Sequence, residues 1–193
     1  MNNRYLETIK SQDGIVFHLE YHQKRYESVL NSLGLDKVKN LQDYIKPPEF
    51  GLYRCRVEYD IDSINVRYYE YEKRDIHSLK LIFDNDIEYL EKKSNREDID
   101  RLYERREDCD DILIIKNLLV TDTSIANIAF YDSGIWITPK SPLLKGTTRA
   151  RLLDEGLIVE RDIGIYEIRK FSKVALLNAM IGFDVLDSYE ILI

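Results

Sequence analysis

The sequence predicts an α+β protein with mixed, largely antiparallel sheets and helices, and three observations lead there. Short segments rich in Tyr, Val and Ile alternate in polarity through 52–83, as half-buried strands do. Turn residues punctuate them, notably Gln12-Asp13-Gly14 and Asp132-Ser133-Gly134, and Asp-Gly between apolar runs is a hairpin signal. Helix-period stretches fall irregularly between the strands rather than in strict βα alternation.

Taken in order, residues 4–9 and 15–19 read as strands joined through the Asp-Gly turn. His22–Leu33 carries Tyr26, Val29, Leu30 and Leu33 near helical spacing and stops at Gly34, a helix ended by a C′ glycine. A second helix is predicted over Asp36–Tyr44, blocked from continuing by Pro47-Pro48. Three strands follow at Leu52–Tyr59, Ile64–Tyr71 and Ser78–Phe83. Asp84-Asn85-Asp86 is a turn and marks the expected boundary between two lobes, 1–84 and 85–193. A polar helix from Asn95 to Arg106 turns Ile99 and Leu102 inward and sets Glu97 one turn from Arg101. A meander of strands is expected at Ile112–Ile115, Leu118–Val120, Asn127–Tyr131 and Ile135–Thr138. Gly146-Thr147-Thr148 opens a helix through Leu153 that Gly156 closes, and the remainder mixes short strands with a helix near Phe171–Leu177.

With 193 residues, 44% of them hydrophobic, the chain can bury one sizeable core or two small ones. Its net charge of −7 gives no general attraction for nucleic acid or anionic membrane. The basic and aromatic run Arg67–Arg74 has acids interleaved, which argues against a nucleic-acid platform. Cys55 and Cys109 lie far apart and match no metal or redox spacing, so no metal is expected and a reducing compartment is the simpler reading. The N-terminus has no apolar signal core, and no run approaches the ~20 apolar residues that span a bilayer. The expected setting is the cytoplasm and the expected partner a small molecule.

Three segments could carry chemistry. Lys145-Gly146-Thr147-Thr148-Arg149 would present N–H groups and a helix dipole to an anion; read alone, it is equally an ordinary capped helix. In Val120-Thr121-Asp122-Thr123-Ser124-Ile125-Ala126-Asn127 an acid stands between apolar strands, where it could hold a protonated ring nitrogen or simply build an Asx turn. Lys92-Lys93-Ser94-Asn95-Arg96 reads by itself as surface charge, with one of the two lysines able to point inward on a strand.

Together, and in this order, the three segments resemble the fold-type IV PLP enzymes, the class IV aminotransferase-like family. In that family a lysine precedes an Asn-Arg pair, a strand-end acid precedes an Asn-hydrophobic run, and a Gly-x-Thr-Arg helix start follows. Leu19-Glu20-Tyr21-His22-Gln23-Lys24-Arg25 is similar to the family's His-Leu-x-Arg-Leu stretch, Glu7-Thr8 to its first-strand Phe-Glu-Thr, and Leu177-Asn178-Ala179-Met180 to its last phosphate-contacting turn. The resemblance implies a two-lobed fold like that of D-amino acid aminotransferase. It implies pyridoxal 5′-phosphate (PLP) as cofactor and homodimers as the usual assembly.

It also implies roles. Lys92 is the catalytic lysine, since only an amine of that reach and nucleophilicity bonds the cofactor aldehyde and then serves as general base. Asp122, where the family usually has glutamate, partners the pyridine nitrogen. Arg25, Gly146, Thr147, Thr148, Asn178 and Ala179 hold the phosphate, with Asn127 beside them. Arg56 lies near the family's substrate-arginine position. The sequence begins almost at the Glu7-Thr8 strand, so the family's leading strand and its Gly-Asp-Gly approach, which normally build part of the substrate pocket, are expected to be missing. Local likeness around Lys92–Arg96 and Asn178-Ala179-Met180 favours 4-amino-4-deoxychorismate lyase, which releases pyruvate and 4-aminobenzoate in folate biosynthesis. A class IV transaminase of D- or branched-chain amino acids would use the same residues, and a PLP-binding protein without turnover is the third reading.

Overall fold

The strand-forming segments assemble into two sheets, each within its own compact unit, in the computed structural model, which describes residues 4–192. Unit 1 comprises Met1–Lys73 and Glu91–Asn95. Its antiparallel sheet has the order β2-β1-β3-β4, from β1 (Tyr5–Gln12), β2 (Ile15–Val16), β3 (Leu52–Tyr59) and β4 (Ile64–Glu70). Asp13 and Gly14 take the positive φ values, 49° and 78°, that the tight β1–β2 turn needs. Helix α1 (Leu19–Ser32) packs Tyr26, Val29 and Leu30 onto Ile9, Cys55, Val57 and Tyr59 of the sheet, and Gly34 turns the chain away at φ 88°.

The segment 91–95 belongs to this unit because it lies along β1. Leu6 N–H donates to the Lys92 carbonyl at 2.8 Å and Ser94 N–H to the Arg4 carbonyl at 2.8 Å. The units therefore divide at 73/74, 90/91 and 95/96, whereas the sequence pattern suggests one boundary after 84, and the stretch bearing Lys92 goes with the first unit.

Unit 2 comprises Arg74–Leu90 and Arg96–Ile193. Its strands are β5 (Ser78–Phe83), β6 (Asp111–Lys116), β7 (Leu119–Thr123), β8 (Asn127–Asp132), β9 (Ile135–Pro139), β10 (Val159–Arg161), β11 (Lys173–Asn178), β12 (Gly182–Val185) and β13 (Glu190–Leu192). The order is β10-β9-β8-β7-β6-β5-β13, with β11 joining β8 and carrying β12. The β5–β6, β5–β13 and β9–β10 pairs are parallel and the rest antiparallel. Leu113, Ile128, Phe130, Val174 and Leu176 centre the main core. Helix α2 (Glu97–Glu104) buries Ile99 and Leu102, and α3 (Thr147–Asp154) buries Leu152. Arg101 pairs with Asp98 at 3.2 Å, one residue from the Glu97 spacing expected. No helix among the described residues is long and apolar enough to cross a membrane.

Three predicted elements differ. Helix α1 begins three residues earlier than its periodicity suggests, after His18 in a left-handed conformation with no side-chain cap, so the usual start signal is missing. The predicted helix over 36–44 is a coil with a single 3-10 turn at Leu41–Asp43. There the Gln23 side chain takes the Leu41 N–H at 2.8 Å and donates to the Lys39 carbonyl at 3.0 Å, satisfying backbone groups that a helix would pair internally. The helix predicted near 171–177 is instead β11, whose Val174, Ala175, Leu176 and Leu177 are all buried. A strand covered on both faces reads as a continuous apolar run, which periodicity does not separate from a buried helix.

Candidate active site

In unit 1 the chemistry gathers around Glu7, an inward residue of β1 between Tyr5 and Ile9. Glu7 Oε1 and Oε2 accept hydrogen bonds from Arg25 Nε (2.7 Å) and Nη2 (2.6 Å), and His22 Nδ1 lies 2.6 Å from Oε2. Burial alone would raise the Glu7 carboxyl, but the Arg25 charge and the hydrogen bonds from His22 and Arg25 outweigh it and hold the group at about 2. His22 is pushed below the ordinary imidazole range chiefly by burial, with Arg25 and Lys92 adding to the shift and Glu7 opposing it.

Lys92 is half-buried while Lys93 is exposed. Lys93 stands opposite Tyr5 in an antiparallel bridge, so its neighbour projects to the other side of the strand. Arg56 of β3 stands in one cross-strand row with Thr8 of β1 and Arg67 of β4. Its guanidinium holds Glu58 through Nε at 3.0 Å and Nη2 at 2.7 Å.

In unit 2, Asp122 at the end of β7 faces Asn127 at the start of β8. The connecting turn is built by Thr123, whose N–H donates to the Ala126 carbonyl at 2.9 Å and whose Oγ1 accepts from Ile125 and Ala126 N–H. Asp122 is thereby spared the Asx turn that its sequence position also allows. Its carboxylate, 5% exposed, instead accepts from Asn127 Nδ2 at 2.7 Å and from Leu144 N–H at 2.9 Å. Burial raises this group to about 6 against the pull of those two donors and of Arg149.

Asn127 Nδ2 also donates to the Leu144 carbonyl at 2.8 Å, binding the loop before α3 to β8. That loop passes so close that a Cβ at Gly146 would run into Asn127 Oδ1, which explains the glycine at this helix start. Thr147 and Thr148, both buried, open α3 without a side-chain cap from Gly146. The leading N–H groups of such a helix start have no intrahelical acceptors. Arg149 is a strut: Nη2 donates to the Pro139 carbonyl at 2.8 Å and to Glu160 at 2.6 Å. Asn178 Oδ1 gathers the N–H groups of Met180 (2.9 Å) and Ile181 (3.1 Å) around Ala179. Arg96 Nη2 donates to the Ser124 carbonyl at 2.7 Å, bracing the β7–β8 turn.

Sequence reasoning missed three participants: the Leu144 N–H on Asp122, Glu7 on Arg25, and His22 on Glu7. A main-chain donor leaves no compositional trace. Glu7 does leave one, being an acid at an inward position of an otherwise apolar strand face.

These residues fit PLP. A half-buried amine and a braced guanidinium stand in unit 1; a buried acid with spare lone pairs and a glycine-tightened helix start stand in unit 2. An aldehyde, a pyridine nitrogen and a phosphate call for such donors.

Comparison with known proteins agrees. Residues 95–184 match the family model for class IV amino-transferases. The chain is 39% identical over 182 residues to an uncharacterized protein of Haemophilus influenzae, covering 91% of this chain and 97% of that protein. A crystal structure from Haemophilus somnus, named provisionally as a 4-amino-4-deoxychorismate lyase, superposes with a TM-score of 0.87 at 32% identity, over 94% of this chain and 98% of that one. The 4-amino-4-deoxychorismate lyase of Pseudomonas aeruginosa shares the fold, with a TM-score of 0.75 at 16% identity over 99% and 84% of the two chains. With the likeness running nearly end to end, this chain belongs to the class IV amino-transferase family of PLP-dependent enzymes.

Proposed function

We propose that this protein is a 4-amino-4-deoxychorismate lyase, splitting its substrate into pyruvate and 4-aminobenzoate and so serving folate biosynthesis. The observation that carries the reading is the likeness to the Haemophilus somnus protein across almost the whole of both chains. PLP would supply the aldehyde that takes the substrate nitrogen and the ring that accepts electron density from the carbon beside it.

The chain's own residues do the rest. Lys92 Nζ would provide the amine that holds the cofactor and would act as the base that carries the proton from the carbon bearing the substrate nitrogen. Asp122 would hold the pyridine nitrogen and keep it protonated; the N–H groups of Asn127 and Leu144 hold the carboxylate's orientation. Arg25, the N–H groups of Thr147 and Thr148 and the Asn178-Ala179 turn bind phosphate, and Gly146 lets that helix start come close to Asn127. Arg56 is assigned to a substrate carboxylate, for which it would exchange its contact with Glu58. The setting we propose is a cytoplasmic homodimer, testable by light scattering.

Two measurements test the reading. Purified protein given PLP should show a visible absorbance band that Lys92→Ala abolishes and Lys93→Ala retains. Supplied with aminodeoxychorismate alone, the wild type should release pyruvate. Turnover that appears only when amino acids and 2-oxoglutarate are both present would replace the lyase with a transaminase.

A further inference from the structure

Glu7 and His22 have no part in the roles assigned above, yet they are 0% and 1% exposed. Sealing a carboxylate from water is costly unless cations and hydrogen bonds compensate it. Here the compensation is specific. Arg25 approaches side-on, presenting Nε to one carboxylate oxygen and Nη2 to the other at 2.7 and 2.6 Å. A two-point contact of this kind fixes the guanidinium plane, which a single bond or a lysine would not. It also occupies the Nε–Nη2 edge, so the Nη1 corner of the group is directed away from Glu7.

His22 closes the arrangement. Its Nδ1 lies 2.6 Å from Oε2, and with a proton on that nitrogen the ring donates to the carboxylate. His22 and Arg25 stand one turn apart on α1 while Glu7 belongs to β1. The carboxylate is thus gripped by two residues of one helix, and its own position is set by the sheet.

From this we infer that Glu7 is a positioning residue for cofactor phosphate: it locks Arg25 in the single orientation in which the guanidinium meets the anion, and His22 braces the lock. The inference rests on the assignment of Arg25 to the phosphate proposed above. An arginine left unlocked must be ordered at the moment of binding, at an entropic cost that falls on phosphate recognition alone.

The test compares PLP with pyridoxal, which lacks the phosphate, by equilibrium dialysis and absorbance titration, so no turnover is needed. In Glu7→Gln, PLP affinity should fall about tenfold or more, as when the partner orienting a ligand-binding side chain is removed, while pyridoxal affinity stays near wild type. In an Arg25→Met background the same Glu7→Gln change should have no further effect on PLP, because the group it positions is gone.

Equal losses for PLP and pyridoxal, or a full Glu7→Gln effect in the Arg25→Met background, would overturn the positioning role and leave the PLP reading intact. Wild-type protein that binds neither ligand would overturn both. Should Glu7→Gln fail to fold, Arg25→Lys serves, since it keeps the charge and gives up the side-on geometry. Loss of phosphate preference to the level of Arg25→Met is the expected result, and an undiminished preference overturns the inference.

Discussion

Glu7 occupies a place where burial would favour the neutral acid, and Arg25 and His22 reverse that preference. The pH consequence follows from proton binding in the two states. Unfolded, the carboxyl titrates near 4.5; folded, at about 2. Its stabilisation is therefore complete above 4.5 and lost as pH falls through about 2, a contribution of about 3 kcal/mol. His22, also held below its ordinary 6.5, adds to the loss, because the unfolded state gains its proton first as pH drops. Asp122 runs the other way. Raised from 3.8 to about 6, it favours the folded state at low pH and withdraws that support as pH rises through 6. Urea unfolding of cofactor-free protein between pH 2 and 5 should show a steep acid loss in wild type and a shallower one in Glu7→Gln.

At the scale of elements, the loop from Pro139 to Gly146 is tied down by Asn127, which bonds both Asp122 and the Leu144 carbonyl, by Asp122, which accepts from Leu144 N–H, and by Arg149, which donates to the Pro139 carbonyl. Gly146→Ala would drive a methyl group into Asn127 Oδ1. The expected cost is about 1–3 kcal/mol, as for overpacking elsewhere, with weaker PLP binding. A thermal melt with and without PLP would register both, and an unchanged melt would show that the loop yields freely. Strands such as Leu52–Tyr59 were legible in the sequence because one face is buried and the other wet, so polarity alternates. Where that asymmetry fails, legibility fails too. β11 is covered on both sides and gives no period, and the 36–44 segment has its backbone satisfied by Gln23, a partner far away in the chain. The proposed site was legible as an ordered set of blocks around Lys92, Asp122 and Gly146. Partners that act through the main chain, such as Leu144, or through a residue on another element, as Glu7 does for Arg25, need three dimensions to be found.

For the whole molecule the decisive feature is that neither unit is one continuous stretch. Residues 91–95 join unit 1 through the Leu6–Lys92 and Arg4–Ser94 bonds, so the backbone under the proposed nucleophile is anchored by the first strand of the chain. Amide exchange should then show Leu6 and Ser94 protected together with the β1–β3 pairs, as members of one cooperative group. Arg4→Pro leaves both bonds formally possible, whereas Ser94→Pro removes the Ser94 donor. Ser94→Pro should therefore accelerate exchange at Leu6 and weaken PLP binding without unfolding unit 2, a combination readable by mass-resolved exchange and near-ultraviolet circular dichroism.

The same excursion orders events on the ribosome. β1 emerges well before its partner along that edge, which is not translated until β5 of the second unit has already been made. Nascent unit 1 must wait with an incomplete border, and the segment bearing Lys92, the proposed cofactor lysine, is the last piece it receives.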